Sequence, residues 1–170
     1  RCEAPLVNRP FIKGQGSLTG FLQALGAKGP PRTLGLYSDG NRIASLPSSS
    51  SFDPGYVKGM LDALPYALRP QARALLIGTR GGFRIPEAQV MGAATIHALE
   101  PTSVLFEIVA AGPYAQGAGL RFGQEAPWNL RGTERYDVID LASDFLGQAE
   151  TNKFAFTVEA VQGFLGLLSE

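Results

Sequence analysis

The sequence predicts an α/β protein built on a parallel sheet, with a small β-rich segment ahead of it, and three observations carry that prediction. Ala72–Ile77 includes the run Ala74-Leu75-Leu76-Ile77, which has no polar alternation and so suits a strand buried on both faces. Strand-like and helix-like segments alternate from there onward at the pitch of crossover units. The first of these strands empties into Gly78-Thr79-Arg80-Gly81-Gly82, a turn rich in the one residue that needs no Cβ clearance.

The elements follow in order. Residues 1–33 are dense in Pro and Gly, with a short helix expected over Leu18–Leu25. Thr33–Tyr37 and Arg42–Leu46 read as strands joined through Asp39-Gly40, a strong hairpin signal. A helix is expected over Gly55–Leu68, where Val57, Met60, Leu61, Leu64 and Leu68 fall on one apolar stripe, with Pro65 inside it. After the glycine turn come a helix over Ile85–Met91, a strand over Ala94–Leu99 ended by Glu100-Pro101, and a helix over Thr102–Ala111. A weaker strand at Leu120–Phe122, a buried-type strand at Tyr136–Leu141 and a helix over Thr157–Leu168 complete the order. In that last helix Val158, Val161, Leu165 and Leu168 share a face. The organisation expected is a hairpin segment over 1–53 and an α/β unit over 54–170.

Composition narrows the function. The chain of 170 residues is 45% hydrophobic and 18% charged, enough to bury a core. Lys plus Arg and Asp plus Glu both number 15, so nothing electrostatic calls for nucleic acid or an anionic membrane. Cys2 is the one cysteine and His97 the one histidine, which excludes an internal disulfide and a multi-histidine metal site; no metal is expected. A lone thiol fits a reducing compartment, and a cytoplasmic location is expected. No apolar run approaches the roughly 20 residues that span a bilayer. Arg1 in place of an initiating Met suggests an excised or processed form whose flanks are missing.

The glycine turn carries the functional expectation. In a βαβ unit the backbone at the carboxyl end of the first strand approaches a ligand closely, and an acid roughly 20 residues later accepts hydrogen bonds from ribose hydroxyls. Gly78, Thr79, Arg80, Gly81 and Gly82 supply the turn and Glu100 the acid. A carboxylate offers two acceptor oxygens to a vicinal diol. The bland alternative is a tight turn and a solvated glutamate. The expected ligand is a small-molecule nucleoside. Arg80 suits a carboxylate or phosphate, or simply faces water. His97, alone inside a strand, reads as a hydrogen-bonded core residue, and Tyr136-Asp137 as a structural strand start.

These residues resemble the spermidine synthase family, the aminopropyltransferases, and especially its bacterial membrane-fused relatives. The resemblance rests on Asp39-Gly40, on Leu64-Pro65 before the first strand, and on Ile77-Gly78-Thr79-Arg80-Gly81-Gly82. It continues through Gly92-Ala93, Ala98-Leu99-Glu100-Pro101, Tyr136-Asp137-Val138-Ile139 and Phe156-Thr157-Val158-Glu159-Ala160, covering about residues 36–168. It implies a Rossmann-like fold of the S-adenosylmethionine-dependent methyltransferase type, binding S-adenosylmethionine or its decarboxylated form. Glu100 would hold the ribose and Glu125 the neighbourhood of the adenine. A membrane-embedded flanking region would be a possible neighbour in the fused relatives.

Departures from the family pattern bear on catalysis. The family loop has an Asp among its glycines where this chain has Arg80, and its His-Glu pair falls near Lys58 and Gly59. The family's catalytic Asp corresponds to Ala142, leaving Asp140 and Asp144 beside it as the candidate catalytic carboxylates. Alternatively, Asp140 caps its strand and Asp144 is solvated. Two functions follow: an aminopropyl- or methyltransferase using an S-adenosyl cofactor, or an inactive nucleoside-binding or interaction module. Little transfer to putrescine is expected. The sheet, ending at Glu170 where family domains continue, is expected to leave an open edge and to self-associate into a homo-oligomer.

Overall fold

A computed structural model describes residues 32–38, 41–48, 53–130, 134–141 and 157–169. It is an α/β architecture with two sheets. Strands β1 (Thr33–Ser38) and β2 (Asn41–Pro47) form an antiparallel hairpin. Asp39-Gly40, the expected turn, lies outside the described residues.

The main sheet holds four parallel strands: β3 (Arg73–Ile77), β4 (Thr95–Leu99), β5 (Leu120–Gly123) and β6 (Val138–Leu141), in the order β5-β4-β3-β6. The chain winds outward from β3 to β5, then returns to place β6 on the other side of β3. That reversal is the strand order of a Rossmann-like sheet, and the crevice outside the carboxyl ends of β3 and β6 is where such sheets take ligands.

The strand residues alternate between two packed faces. Ala74, Leu76, Ile96, Ala98 and Val138 point to one face, where they meet Tyr66, Ile85, Ala88 and Val109. Leu75, Ile77 and Leu99 point to the other and meet Tyr136 and Phe164. Leu75, Leu76 and Ile77 have no exposure at all, which accounts for the unbroken apolar run; each such burial contributes about 2 kcal/mol.

Helix α1 (Leu64–Leu68) precedes β3, α2 (Arg84–Val90) follows the glycine loop, α3 (Ser103–Ala111) follows β4 and α4 (Val158–Leu165) follows β6. The helix expected over Gly55–Leu68 is instead three short pieces. Two are 3-10 turns, Pro54–Gly59 and Leu61–Ala63, separated by an extended Met60; the third is α1, with Pro65 in its first turn. Pro65 therefore starts a helix rather than ending one, where its missing N–H costs nothing. With no continuous helix the expected stripe does not form. Val57 is buried, but Leu61 is 88% exposed and Leu64 and Leu68 also face outward, while Tyr56 and Tyr66 fill the interior.

α4 shows a second difference. Thr157 caps it, its hydroxyl accepting from the Ala160 amide at 3.2 Å. Phe164 is the residue it buries, with Ala160 and Leu167 packed beside it, whereas Val158, Val161 and Leu165 remain exposed. Beyond α4 the chain turns back along the sheet: Leu168 bridges Tyr136 in parallel, with Tyr136 N–H donating to Leu167 O and Ser169 N–H to Tyr136 O, both at 2.8 Å. Asp137 ties this corner to β3 by accepting from the Ser169 hydroxyl at 2.6 Å and the Arg73 amide at 2.8 Å. The Ser169 hydroxyl and the Arg73 amide hold its carboxyl well below the usual carboxylate range. No helix among the described residues is long and apolar enough to cross a membrane.

Candidate functional site

The glycine loop is a run of left-handed backbone. Gly78, Gly81 and Gly82 have φ of 85°, 69° and 95°, and Arg80 has φ 53°. For arginine that conformation costs about 1–2 kcal/mol. Thr79 O accepts from the amides of both Gly82 and Arg84 at 3.0 Å and so closes the turn onto the start of α2. Gly81 has a further duty. A Cβ there would stand 1.9 Å from Ser45 O of β2, so the missing side chain lets the hairpin backbone rest directly on the loop.

Glu100 is brought to this loop. It is 3% exposed; its Oε2 accepts from the Thr79 hydroxyl at 2.9 Å and the Thr79 amide at 3.2 Å, and Oε1 accepts from the Thr102 amide at 3.3 Å. The juxtaposition follows from the parallel register, which sets Ile77 beside Leu99 and lets Gly78 N–H donate to Leu99 O at 2.8 Å. Glu125 stands elsewhere. Its half-exposed carboxylate lies 3.6 Å from His97 Nε2 and 3.6 Å from Arg121.

Arg80 does not reach outward from the loop. Its guanidinium lies 3.9 Å from Asp62 and 4.0 Å from Glu87. It joins a polar cluster that fills the β3/β6 crevice around Arg84, a residue only 4% exposed. Arg84 Nε donates to Asp140 Oδ2 at 2.7 Å, and its Nη1 lies 3.0 Å from Glu87 and 3.2 Å from Asp62. The Tyr66 hydroxyl donates to the same Asp140 oxygen at 3.4 Å, and the Tyr56 hydroxyl donates to Glu87. Burial alone would lower the Arg84 pKa, but the Asp140 and Glu87 carboxylates outweigh it and hold the guanidinium above its ordinary value. Burial raises both tyrosine hydroxyls, reinforced by Glu87 at Tyr56 and by Asp140 at Tyr66.

Asp140, one candidate catalytic acid, thus sits on the α2 side of β6 with Oδ2 engaged by Arg84 and Tyr66. Asp144, the other, lies outside the described residues. Sequence reasoning missed Arg84, Glu87 and Tyr66. The one local signal was the Arg84/Glu87 spacing of three on a helix.

A second polar group occupies the opposite face at β4. His97 Nδ1 is 2.6 Å from the Tyr136 hydroxyl, which in turn donates to Glu134 Oε2 at 3.0 Å. A phenol has one proton; once it goes to Glu134, the hydrogen-bond count assigns the histidine proton to Nδ1. His97 Nε2 is then buried with no hydrogen-bond partner among the described residues. The Tyr136 hydroxyl is pushed up to about 12 by burial and by Glu134. Burial, helped by Arg121, holds the His97 pKa below its ordinary 6.5 against the opposing pull of Glu125 and Glu134.

A histidine depressed in the folded state leaves the unfolded chain holding more protons just below pH 6.5. Stability is therefore complete above that pH and falls as pH drops toward the folded pKa. His97 is the chain's one histidine, so denaturant melts at pH 7.5 and 5.5 are expected to show a loss of up to about 1 kcal/mol, much of it removed by His97→Gln. Equal or greater stability at pH 5.5 would count against this geometry.

No protein-family model matches the chain, and no curated protein matches it in sequence. Among solved structures it is similar to the N-methyltransferase NodS from Bradyrhizobium japonicum WM9, at 13% identity and a TM-score of 0.48, over 69% of this chain and 64% of that one. It is also similar to SAM-bound CalS10, an amino pentose methyltransferase from Micromonospora echinaspora, at 14% identity and a TM-score of 0.49, over 70% of this chain and 48% of that one. The chain thus spans less than two thirds of the length of either structure. Its Rossmann-like character rests on its own strand order and hydrogen-bonded register.

Proposed function

We propose that this chain binds an S-adenosyl nucleoside at the carboxyl edge of β3 and β4, as a transferase-type domain in which Glu100 receives the ribose hydroxyls. The observation that carries the reading is the nearly buried Glu100 carboxylate aimed into the glycine loop, with Oε2 on the hydroxyl and amide of Thr79. A vicinal diol would take over the Thr79 hydroxyl's contact at little enthalpic cost, exchanging one neutral donor for two. When bound, S-adenosylmethionine supplies an electrophilic carbon beside a sulfonium. The chain's own groups bind and orient the nucleoside.

Aminopropyl transfer to a diamine fits the site poorly. Such an acceptor needs free carboxylates near the reacting carbon to bind its ammonium groups and accept a proton. Here Asp62, Glu87 and Asp140 already surround Arg84. Asp144 stays a candidate proton acceptor for another acceptor class, and Glu125, turned toward His97, would reach an adenine only by leaving Arg121.

A second reading is a structural joint without a ligand, and Ser45 O resting on Gly81 favours it. Calorimetry separates the two. S-adenosylmethionine, its decarboxylated form or methylthioadenosine is expected to bind and NAD is not, with Glu100→Gln weakening the affinity about 10-fold, or about 1.4 kcal/mol. Absence of binding by all three thioadenosines, with the protein folded, would leave the structural joint.

A further inference from the structure

One opening in the described surface lies away from this edge. It is a groove of about 440 Å³ between the 3-10 turn Pro127–Asn129 and α4. Neither the glycine loop nor Glu100 lines it. Its volume is that of a small-ligand site. Trp128 and Leu130 form one wall, Phe164 and Leu167 the apolar floor, and Glu159 supplies the one charge of the lining.

Two features of α4 point to an occupant. Gly163 sits inside the helix, where glycine costs about 1 kcal/mol relative to alanine. Its backbone is not left-handed, and a Cβ there would meet nothing within 4 Å. Neither conformation nor packing calls for glycine; its effect is to keep the groove open. Glu159, in the first turn, makes no ion pair among the described residues, and the nearby Thr157 hydroxyl is already taken up by capping the helix.

We propose that this groove binds a small arylalkylammonium ion, its ring against the Trp128 indole and its cationic head at Glu159. Charge complementarity selects the class. An anion would face Glu159, a neutral ring would leave the carboxylate unused, and an ammonium gains both the carboxylate and the electron-rich indole face. The 48% exposure of Trp128 leaves that ring partly open to such a guest.

Trp128 is the chain's one tryptophan, so its emission reports on the groove alone. Benzyltrimethylammonium is expected to change that emission saturably, with a dissociation constant on the order of 1 mM, a scale suited to so few heavy atoms. Phenylacetate, with the same ring and opposite charge, is expected to bind about 10-fold more weakly. Glu159→Gln, a surface change, is expected to cut that preference to about 3-fold or less, as loss of an exposed ion pair would. Gly163→Leu, filling the groove with a good helix former, is expected to abolish the response. The proposal is overturned if emission does not saturate, if phenylacetate binds as well, or if Glu159→Gln keeps the full preference. A well-folded Gly163→Leu protein that binds as before also overturns it, as does a groove covered by another part of this chain, which would leave Trp128 unresponsive.

Discussion

Arg84→Leu is expected to destabilise the protein by about 3–5 kcal/mol, because it removes the one nearly buried cation from a crevice that keeps Asp140 and Glu87. Two of Arg84's nitrogens reach Asp140, Nε at 2.7 Å and Nη2 at 2.5 Å, and Nη1 reaches Glu87 at 3.0 Å. Arg80, at 4.0 Å from Glu87, is too distant to take over the hydrogen bonds. For a chain of this size the loss corresponds to a melting temperature lower by roughly 10 °C. Lysine should recover only part of it, since an ammonium cannot offer the planar fork that spans both acids. Asp140→Asn in the Arg84→Leu background should recover stability, the sign of coupling between partners. Calorimetric melts of the single and double variants measure this. A single variant within 1 kcal/mol of the parent, or purely additive changes, would mean that the crevice is open to water and that Asp140 is available for other work.

Gly81→Ala is expected to be the next most costly change. The new methyl would meet Ser45 O at 1.9 Å, a distance that forces the hairpin or the loop to move, and alanine must also hold φ 69°. Left-handed backbone costs an L-residue about 1–2 kcal/mol, and relief of the clash about 1–3 kcal/mol more. Gly163→Ala is the internal control: its Cβ meets nothing within 4 Å, so it should stabilise α4 by a few tenths of a kcal/mol or more. Chemical denaturation of the two variants checks both signs. If Gly81→Ala proves neutral, the hairpin does not rest on the loop, and the glycine is freed to serve a ligand.

The sheet was legible in the sequence because its signal is local. A parallel strand buried on both faces has to be apolar throughout, and Ala74–Ile77 and Ile96–Leu99 are nearly so. The glycine loop and Glu100 could also be paired from sequence, since parallel register fixes where consecutive strand ends meet. The Gly55–Leu68 region was misread because spacings of three and four imply a stripe only if the helix is continuous, and the extended Met60 after Gly59 interrupts it while Pro65 opens a separate short helix. The apolar side of α4 was legible, opposite Glu159 and Gln162, but not which of its residues would be covered; Phe164, not Val158 or Leu165, took the interior. The Arg84 cluster was hidden for a different reason. Arg84 and Asp140 lie 56 positions apart, and an ion pair leaves no periodicity in either segment. The sequence therefore left Asp140 either a catalytic carboxylate or a strand cap, and neither reading named Arg84 as its partner.

Everything functional turns on whether a nucleoside enters between the glycine loop and Glu100. Amide spectra of the labelled protein, recorded as S-adenosylmethionine or methylthioadenosine is added, test this most directly. Binding as described should shift the Gly78, Thr79 and Glu100 signals together at saturation, with Gly81 and Ser45 following as the hairpin yields. Shifts confined to other regions, or an unchanged spectrum at millimolar ligand, would contradict it.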